Sequence, residues 1–529
     1  MLEGSERVPV RSLVLGVGAL FALLLALPGA TITTTYVNDL LIFLDGAHRV
    51  AWGQAPSRDF RTALGPLAFY LPAAGYWLSG TIGGAMPAGM GIAVLGLAFP
   101  LAHIVGSRLR PVLALPFAAF VLLIAAVPIN LGEGIGALSF AMFYNRLGWA
   151  ALAALLVMYL TRQSAGRRGL MLDALSAASL TLFMLYTKVT YGLVGLGFLA
   201  FLLLDARHRR WVILALAFVA LGGLVAEAFW RGSLAHIEDL RLAGRVSGTR
   251  NLPDLAQGFL RHLADYTMFG IFVVLVLWRT RSLRDLLFFA ICGGPGLLIM
   301  SQNAQPWGIT TIHAGAVVAA EILMRTSSTP DIPVRASQTW SGAPQFSLAS
   351  GGPLLLLALV LPTIVHCTLA LGLHAGLAAA RAGEPFGEGR FEQVRLVDLW
   401  SGTGRLSLPY IETLRDGARA LGTLDAPASH VSVLDFANPF SAWLGLAPPK
   451  GDSAWLHWGR NVNERDFVPP EDLFGDVRVL MVPKWGINNI PLFDLYRGHI
   501  GTAYEPVRDT EFWTVYVRPP RAGETVSSR

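Results

Sequence analysis

Acidic and basic residues alternate in a short stretch that follows the first apolar run of the chain. The stretch from Tyr36 to Leu71 reads YVNDLLIFLDGAHRVAWGQAPSRDFRTALGPLAFYL. Its charged residues of interest are Asp39, Asp45, Asp59, Arg49, Arg58 and Arg61. A carboxylate can take the proton of an attacking hydroxyl as a general base, and an arginine can hold two oxygens of a phosphate. These residue types therefore suit proton transfer beside an anionic group.

The composition places this chemistry in a membrane. Of 529 residues, 53% are hydrophobic and 14% are charged, and the mean hydropathy is +0.52, which is typical of a polytopic membrane protein. The net charge of +6 does not indicate nucleic-acid binding, because the arginines fall in short clusters between apolar runs, as the positive-inside rule predicts. The two cysteines, Cys292 and Cys367, lie in apolar segments and offer no disulfide framework.

Apolar runs of membrane-spanning length predict about eleven transmembrane helices. They lie at roughly 12 to 32, 85 to 106, 111 to 129, 147 to 161, 170 to 186, 190 to 204, 211 to 229, 264 to 278, 285 to 300, 308 to 324 and 351 to 373. The first run could instead be a cleaved secretory signal ending near ALPGA, but its length favours a retained helix.

One further run, at 64 to 80, is assigned by topology rather than by length. If it does not cross, the basic clusters near Arg108, Arg162, Arg207 and Arg279 all fall on one side together with the N-terminus. We therefore expect this run to be a helix in the outer interface. The N-terminus is then cytoplasmic, and the tail is periplasmic in a bacterial inner membrane.

The chain divides into a membrane part and a tail of different composition. We predict a transmembrane catalytic domain at 1–373, with a first outer loop at 33–84 that carries interfacial helices and a cytoplasmic connector at 326–350. The tail at 374–529 is predicted to be a soluble α/β domain. HVSVLDF, VRVLMV and WTVYVR have the pattern of short strands, and LPYIETLRDGARAL that of an amphipathic helix.

Polar residues converge on the outer face in this topology. The candidate substrate-binding residues are Asp45, Arg49, Asp59, Glu133, Tyr144, Asn145, Tyr191, Gln302, Asn303 and Gln305. Ionisable residues are almost absent near the middle of the predicted spans, where a proton-coupled or ion-coupled transporter would keep its relay. The distribution favours chemistry at the outer membrane surface over transport.

The stretch at 36 to 71 resembles the first outer loop of the GT-C superfamily of integral-membrane glycosyltransferases. The residues that carry the resemblance are Asp39, then AHRVAWGQAPSRDF, then GPLAFYL. Dolichyl-phosphate-mannose mannosyltransferases and aminoarabinose transferases are of this type. The resemblance implies a helical membrane fold, often with a soluble outer domain, and sugar transfer from a polyprenyl-phosphate carrier.

The resemblance also implies a role for Asp39, which matches the first acid of a pair found in such enzymes. That acid acts as a catalytic base, as a metal ligand or as a carboxylate that orients the acceptor. Leu40 replaces the second acid of the pair. Asp45 could substitute only if the loop folds back, and a local ion pair with Arg49 at i, i+4 is the favoured interpretation.

Three cations are candidates for the phosphate of the donor, whose negative charge grows in the transition state. They are Lys188, Arg146 and Arg58. Each has a structural alternative: Arg146 could reach lipid head groups, Arg58 with Asp59 could cap or staple the interfacial helix, and Lys188 could reach the interface. Of the three, Lys188 is the one that we place most readily on a phosphate.

The remaining candidates have weaker signals. Glu133 lies in a glycine-rich loop, where a solvated carboxylate is common, and His313 fits a core histidine better than a metal ligand. No spacing of His, Asp and Glu predicts a metal site, although a divalent metal stays compatible with the resemblance. An aromatic group in the tail could stack on sugar rings or pack the tail, namely Trp443, Trp455, His457, Trp458 and Arg460.

Together these features predict a multi-spanning glycosyltransferase that moves one sugar from a polyprenyl-phosphate donor to a cell-envelope acceptor. The acceptor could be a lipid, a glycan or a protein. Asp39 is the expected base, and inversion by direct displacement is the expected course. A flippase or transporter of lipid-linked glycans and a non-catalytic envelope-assembly scaffold remain the alternatives.

Overall fold

Helices form most of the molecule, and strands are concentrated after the last long apolar helix. The computed structural model describes residues 8–163, 166–248, 252–301, 305–327, 348–399, 403–425, 427–486 and 488–520. This architecture confirms the predicted fold class, a polytopic helical protein with a C-terminal α/β region.

Fifteen helices precede the strand-rich region within the described residues. They are α1 Val10–Ala26, α2 Val37–Ala51, α3 Leu67–Ser79, α4 Ile82–Arg108, α5 Pro111–Ala126, α6 Phe143–Leu156, α7 Arg167–Thr187, α8 Val189–Leu203, α9 Ala206–Trp230, α10 Ser233–Ser247, α11 Leu252–Arg261, α12 Leu263–Thr280, α13 Leu283–Ser301, α14 Thr310–Ser327 and α15 Leu348–Ala379. A 3-10 turn, Val157–Tyr159, extends α6.

Two small sheets carry the seven described strands. Their bounds are β1 Thr31–Thr33, β2 Glu384–Pro385, β3 Val394–Leu396, β4 Val431–Val433, β5 Val479–Pro483, β6 Glu505–Asp509 and β7 Trp513–Val517. The helices among them are α16 Thr403–Gly422, α17 Phe440–Leu444, α18 Pro470–Leu473 and α19 Asn489–Ala503, with a 3-10 turn at Gly389–Phe391. The strand order is β1-β3-β2 in one sheet and β4-β5-β7-β6 in the other.

Each of the eleven predicted spans coincides with a helix, but the count of strong membrane helices is lower. By length and composition, six described helices could cross a membrane, namely α4, α7, α9, α12, α13 and the part of α15 from Gly351 to Ala379. Helices α1, α5 and α8 are apolar and have 17, 16 and 15 residues. The predicted number of spans is therefore matched only approximately.

Helix α3 corresponds to the run that we assign to the outer interface. It has 13 residues, so it is about 20 Å long, against a hydrocarbon core of about 30 Å. Gly75 in α3 lies against the backbone of α4, where a Cβ would come within 2.0 Å of the Ala85 carbonyl oxygen. This close approach fixes α3 beside α4. Its position in the interface stays a prediction.

The basic clusters meet at one end of the helical bundle. Asp173 of α7 accepts ion pairs from Arg108 at 2.9 Å and from Arg162 at 2.8 Å. Asp205, before α9, pairs with Arg284 at 2.9 Å. The end of α4 and the starts of α7 and α9 therefore lie together at one end of the bundle. This level is the end opposite α2 and the C-terminal strands.

The C-terminal region is built onto the first outer loop. Strand β1 of that loop pairs in parallel with β3, so that Thr31 lies opposite Val394 and Thr33 opposite Leu396. A second ladder follows, in which Arg61 N–H donates to the Asp452 carbonyl at 2.8 Å and Ala454 N–H donates to the Arg61 carbonyl at 3.0 Å. The predicted boundary at 373/374 is thus crossed by strand pairing.

A buried ion cluster completes this connection. Arg49 of α2 donates through Nε to Asp45 at 2.6 Å and through Nη2 to Asp452 at 2.9 Å. Its Nη1 donates to the Pro449 carbonyl at 2.9 Å, and the Arg49 and Asp45 side chains are fully buried. The arginine is the positive partner that keeps two buried carboxylates in place.

Removal of this guanidinium should release the C-terminal region. In Arg49→Met, Asp45 and Asp452 lose their shared counter-charge, which costs about 3–5 kcal/mol for a buried pair. We expect a lower thermal unfolding midpoint and faster limited proteolysis between residues 440 and 460. Arg497→Met is the matched control, since Arg497 is an exposed arginine whose ion pair, with Asp494, lies within its own helix. Equal stability of the two variants would contradict the prediction.

Candidate functional site

Asp39 lies in the first turn of α2, at the end of the bundle that faces the C-terminal region. The helix starts after Tyr36, which has a left-handed backbone with φ +53°. The Asp39 side chain is half-buried. Burial raises the pKa of this carboxyl to about 6, although its own backbone N–H and the Arg460 charge act in the opposite direction. A carboxylate with this pKa is suited to accept a proton near neutral pH.

Lys188 occupies the break between α7 and α8. Its extended backbone ends the first helix and starts the second. The ammonium donates to Oδ1 of Asn145 at 2.9 Å and lies 5.5 Å from the centre of the Tyr144 ring. Burial, with a further contribution from the Arg460 charge, lowers the pKa of Lys188 to about 7.

Tyr144 connects the Lys188 position with the Asp39 helix. Its ring packs edge-on against Phe43, one turn after Asp39, with centroids 6.1 Å apart. Tyr144 and Asn145 lie in the first turn of α6, which begins at Phe143 after Met142, a residue that also has a left-handed backbone with φ +51°. Left-handed backbone at a residue other than glycine costs energy and is concentrated at functional sites. Here two such residues precede the helices that carry the site.

Arg460 is contributed by the C-terminal region. It lies in a turn that the Asn461 side chain stabilises. The Asn461 amide accepts from the His457 N–H at 2.8 Å and donates to the Trp455 carbonyl at 2.9 Å. The Arg460 side chain is exposed. Its charge acts on Asp39, Lys188 and Tyr144 alike. The candidate site therefore combines one acid and two cations from three distant parts of the chain.

The structure separates the other predicted cations from Lys188. Arg146 is fully buried and donates to the carbonyls of Ile129 and Ala141, at 2.9 and 3.0 Å. Arg58 pairs with Asp59 at 2.8 Å and donates to the Trp230 carbonyl at 3.3 Å. Arg58 and Asp59 thus pair with each other, and their role in capping or stapling the interfacial helix stays a prediction.

The predicted substrate-binding acids have structural partners. Asp45 and Arg49 form the i, i+4 ion pair that the sequence favours, and they are buried away from solvent. Asp59 accepts from the Ala55 N–H at 2.8 Å. Glu133 accepts from the Tyr36 hydroxyl at 2.5 Å and is half-buried. Tyr36 also feels the charge of Asp39.

Tyr191 and Gln305 both contact Trp149 of α6, the helix that also carries Asn145. The Tyr191 ring packs edge-on against Trp149 with centroids 5.1 Å apart, and Trp149 Nε1 donates to Gln305 at 3.3 Å. Within the described residues, the Tyr191 hydroxyl and the Asn145 and Gln305 amide nitrogens are buried without a hydrogen-bond partner. Gln302 and Asn303 lie outside the described residues.

The tail aromatics divide between core and site. Trp443 is 9% exposed, and its ring stacks on Phe391 with the ring centroids 5.5 Å apart. It therefore packs the C-terminal region, which is the alternative to sugar binding. Trp455 and His457 lie against Phe436, at 5.9 and 5.3 Å, beside the Arg460 turn. Sugar binding by this pair of rings stays a prediction. Trp458 is half-buried, and its N–H donates to Asn488.

The described residues contain no ready set of ligands for a metal ion. Within the part of the chain that the structure describes, no group of three or more His, Cys, Asp or Glu side chains is arranged to hold one. His313 is buried, stacks on Phe120 at 4.9 Å and contacts the Ile309 carbonyl through Nδ1 at 3.1 Å. This environment agrees with the core role expected of it.

The sequence analysis did not predict the contacts of two residues of the C-terminal region. Asp452, the second partner of Arg49, is 403 residues away from it and carries no local signal. Arg460 is singled out by the sequence only as part of an aromatic surface, whereas the fold places its charge beside Asp39 and Lys188. The GR pair at 459–460, in which Gly459 has φ +75°, marks the turn that presents it.

Two solved structures are similar to this chain over nearly its whole length. The crystal structure of ArnT from Cupriavidus metallidurans in the apo state is 14% identical, with a TM-score of 0.47 over 96% of this chain and 97% of that one. The crystal structure of ArnT from the same organism bound to undecaprenyl phosphate is 14% identical, with a TM-score of 0.46 over 97% of this chain and 99% of that one. No protein-family model and no curated protein matches the chain. At this level of similarity, its function is argued from its own residues.

The lowered pKa of Lys188 can be measured directly. The chain has three lysines, Lys188, Lys450 and Lys484, so reductive ¹³C-methylation gives few resonances. The resonance that is lost in Lys188→Arg is the Lys188 signal. We expect the Lys188 signal to titrate near pH 7, because the buried ammonium is destabilised relative to the neutral amine. A midpoint at pH 9 or above would show that the site does not desolvate this group.

Proposed function

We propose that the chain is a membrane glycosyltransferase that moves one sugar from a polyprenyl-phosphate donor to a cell-envelope acceptor. The observation that carries the proposal is that a desolvated carboxyl, Asp39, and a desolvated ammonium, Lys188, both feel the charge of Arg460. Both also neighbour Tyr144, Asp39 through its charge and Lys188 at 5.5 Å from the ring centre. The resemblance of residues 36 to 71 to GT-C glycosyltransferases identifies the reaction class. The donor type, the acceptor class and every residue role are part of this proposal.

Asp39 is the general base in the proposed reaction. It takes the proton of the acceptor hydroxyl as the hydroxyl oxygen attacks the anomeric carbon. The new glycosidic bond forms while the bond between the sugar and the phosphate oxygen breaks, and the lipid phosphate leaves with the electron pair. A single displacement of this kind inverts the anomeric centre. A pKa of about 6 keeps Asp39 largely ionised at neutral pH and still able to accept a proton.

Lys188 holds the phosphate of the donor. Its ammonium is fixed by Asn145 and shielded from water, so its attraction for the growing charge on the leaving oxygen is stronger than in bulk solvent. Arg460 adds a second positive charge, which acts on both Lys188 and Asp39. Because its side chain is exposed, this arginine can meet a substrate that arrives from the outer surface.

An apolar groove offers a place for the polyprenyl tail. The groove has a volume of about 450 Å³ and lies between α3, α7 and α9. Its lining includes Leu67, Tyr70, Phe183, Tyr186 and Trp230. Tyr186 precedes Lys188 by two residues at the end of α7. Arg58 donates to the carbonyl of Trp230, which lines the groove.

The proposed location is the bacterial inner membrane, with the site on the periplasmic side. The basic residues paired through Asp173 and Asp205 form the opposite end, which the positive-inside rule places in the cytoplasm. A transporter is the less favoured function, because the desolvated acid and base lie at a helix end rather than at midplane depth. A purely structural scaffold is also the less favoured function, because the Asp39 carboxyl and the Lys188 ammonium both have pKa values shifted towards the neutral form and both neighbour Tyr144.

The role of Asp39 predicts both an activity loss and a pH dependence. Asp39→Asn should reduce sugar transfer by about 10²- to 10⁴-fold, the usual contribution of a general base, while the donor still binds. In the wild type, kcat/KM should rise as pH increases through about 6, when Asp39 ionises, and fall as pH increases through about 7, when Lys188 loses its proton. The measurement is release of labelled sugar from a polyprenyl-phosphate donor, followed from pH 5 to 9.

The control for this pH profile is Lys188→Arg, because arginine stays positively charged from pH 5 to 9. It should abolish the alkaline limb and leave the acid limb near pH 6. Full activity of Asp39→Asn would remove this residue from the mechanism. A profile without an acid limb in both the wild type and Lys188→Arg would do the same.

The role of Lys188 predicts a defect in donor use. Lys188→Ala removes a charge-assisted contact worth about 1.5–3 kcal/mol, so kcat/KM for the donor should fall by roughly 10- to 150-fold. Undecaprenyl phosphate, the lipid held by one of the similar ArnT structures, is a suitable competitive probe. Lys450→Ala is the matched control, since Lys450 is exposed and lies in a proline-rich loop of the C-terminal region. Unchanged donor kinetics in Lys188→Ala would return this lysine to a structural role.

A further inference from the structure

Tyr36 is an unusual residue for the position before α2. It is the N-cap of this helix, and its backbone is left-handed, with φ +53° and ψ +43°. An N-cap residue usually has an extended backbone and a small polar side chain that accepts from the helix. A bulky residue in the left-handed region is a conformational outlier, and the Tyr36 side chain makes no capping hydrogen bond. The helix therefore starts in a conformation that its own local sequence does not favour.

The Tyr36 hydroxyl makes a long-range contact instead of a local cap. It donates to Oε1 of Glu133 at 2.5 Å, across 97 positions of the chain. Burial and, after it, this hydrogen bond raise the pKa of Tyr36 to about 12, so the hydroxyl keeps its proton at neutral pH and remains a donor. A hydrogen bond to a carboxylate is among the stronger ones in proteins. Unfavourable backbone persists where contacts of this kind hold it in place.

Glu133 lies in a loop that is itself well attached. The loop connects α5 and α6, and the Glu133 carbonyl lies 2.8 Å from Nε2 of His366 on α15. Further along the loop, the Leu138 carbonyl accepts from the Thr34 N–H at 2.9 Å, and the Gly136 carbonyl accepts from Thr34 Oγ1 at 2.7 Å. The carboxylate that receives the Tyr36 hydrogen bond is thus carried by a segment fixed on both sides.

The backbone of Tyr36 determines where the candidate base lies. Asp39 is three residues further on, in the first turn of α2. The Tyr36 carbonyl accepts from the Leu40 N–H at 3.3 Å, which is the first hydrogen bond of the helix. The Asp39 carboxylate accepts from its own backbone N–H, and its charge acts on Tyr36. A change in the conformation of Tyr36 would therefore move the Asp39 carboxylate.

We propose that the hydrogen bond from Tyr36 to Glu133 positions Asp39 for proton transfer. Tyr36 and Glu133 are then positioning residues, which act on the reaction through Asp39. The inference deepens the proposed sugar transfer and rests on it. It also gives Glu133 a role other than substrate binding, because its Oε1 is engaged by Tyr36 and its Oε2 is buried.

Removal of the Tyr36 hydroxyl tests this role. Tyr36→Phe keeps the ring and loses the hydrogen bond, so kcat for the release of labelled sugar should fall by about 10- to 100-fold, the equivalent of one charge-assisted hydrogen bond. KM for the polyprenyl-phosphate donor should stay unchanged, since Asp39 is not assigned to the donor phosphate. Glu133→Ala should have the same effect. Glu133→Gln keeps an oxygen that accepts from Tyr36 and should retain more activity than Glu133→Ala.

Tyr496→Phe is the matched control. It also removes one hydroxyl from a buried tyrosine, whose hydrogen bond goes to the Val468 carbonyl at 3.0 Å within the C-terminal region. This variant should leave kcat unchanged. Should Tyr36→Phe fail to fold, Glu133→Ala provides the same test from the other side of the bond.

A second mutation at Asp39 separates positioning from general stability. In Asp39→Asn, no base is left to position, so the addition of Tyr36→Phe should cause no further loss of the residual transfer. A hydroxyl that only stabilises the fold would lower the activity by the same factor whether residue 39 is Asp or Asn. That second result, or an unchanged kcat in both Tyr36→Phe and Glu133→Ala, would overturn the positioning role.

Hydrogen exchange examines the same contact without any reaction. In Tyr36→Phe, the amides of residues 39 to 42 should exchange about tenfold faster, because the first turn of α2 opens more readily. In Tyr496→Phe, the exchange of these amides should be unchanged. Faster exchange in Tyr36→Phe, together with a wild type that releases no sugar, would overturn the proposed function and the catalytic role of this contact with it. Normal transfer by the wild type with unchanged exchange in Tyr36→Phe would overturn the positioning role alone.

Discussion

The buried contact of Arg49 with Asp45 and Asp452 is the interaction on which the arrangement of the site depends. A charge placed in a protein interior is stable only with well-formed partners, so α2 and the segment that carries Asp452 must dock in one register. That register seats the 451–454 segment against the first outer loop. Arg460, a few residues further along the chain, then comes to act on Asp39.

The two ends of the helical bundle use charge in different ways. At the basic end, arginines are neutralised by Asp173, Asp205 and Glu321 in close ion pairs. At the other end, the Asp39 carboxyl and the Lys188 ammonium are desolvated, and each has a pKa shifted towards its neutral form. Strong ion pairing stabilises a fold, whereas shifted, incompletely neutralised groups are available for chemistry. The contrast supports the outer end as the place where a substrate reacts.

Local patterns in the sequence predicted the elements well and their contacts only in part. Apolar runs gave the positions of the helices, alternating residues gave β4, β5 and β7, and the i, i+4 spacing gave the pair of Asp45 with Arg49. Asp452 could not be foreseen as the third member, because nothing local marks a partner so distant in the chain. Arg146 was expected at a lipid surface or on the donor phosphate, but the loop at 129–141 folds over it and buries it. Sequence spacing reports which residues share a helix face, and long-range packing decides which faces meet.

The central claim is that Asp39 and Lys188 act on one substrate. The most direct measurement is a structure of the full chain in a lipid nanodisc with a non-hydrolysable polyprenyl-phosphate sugar. The account predicts the phosphate within hydrogen-bond distance of Lys188 Nζ, about 3 Å, and the anomeric carbon facing the Asp39 carboxylate across a gap wide enough for one hydroxyl. A donor bound at the basic end of the bundle, or bound with its phosphate remote from Lys188 and its sugar turned away from Asp39, would contradict it.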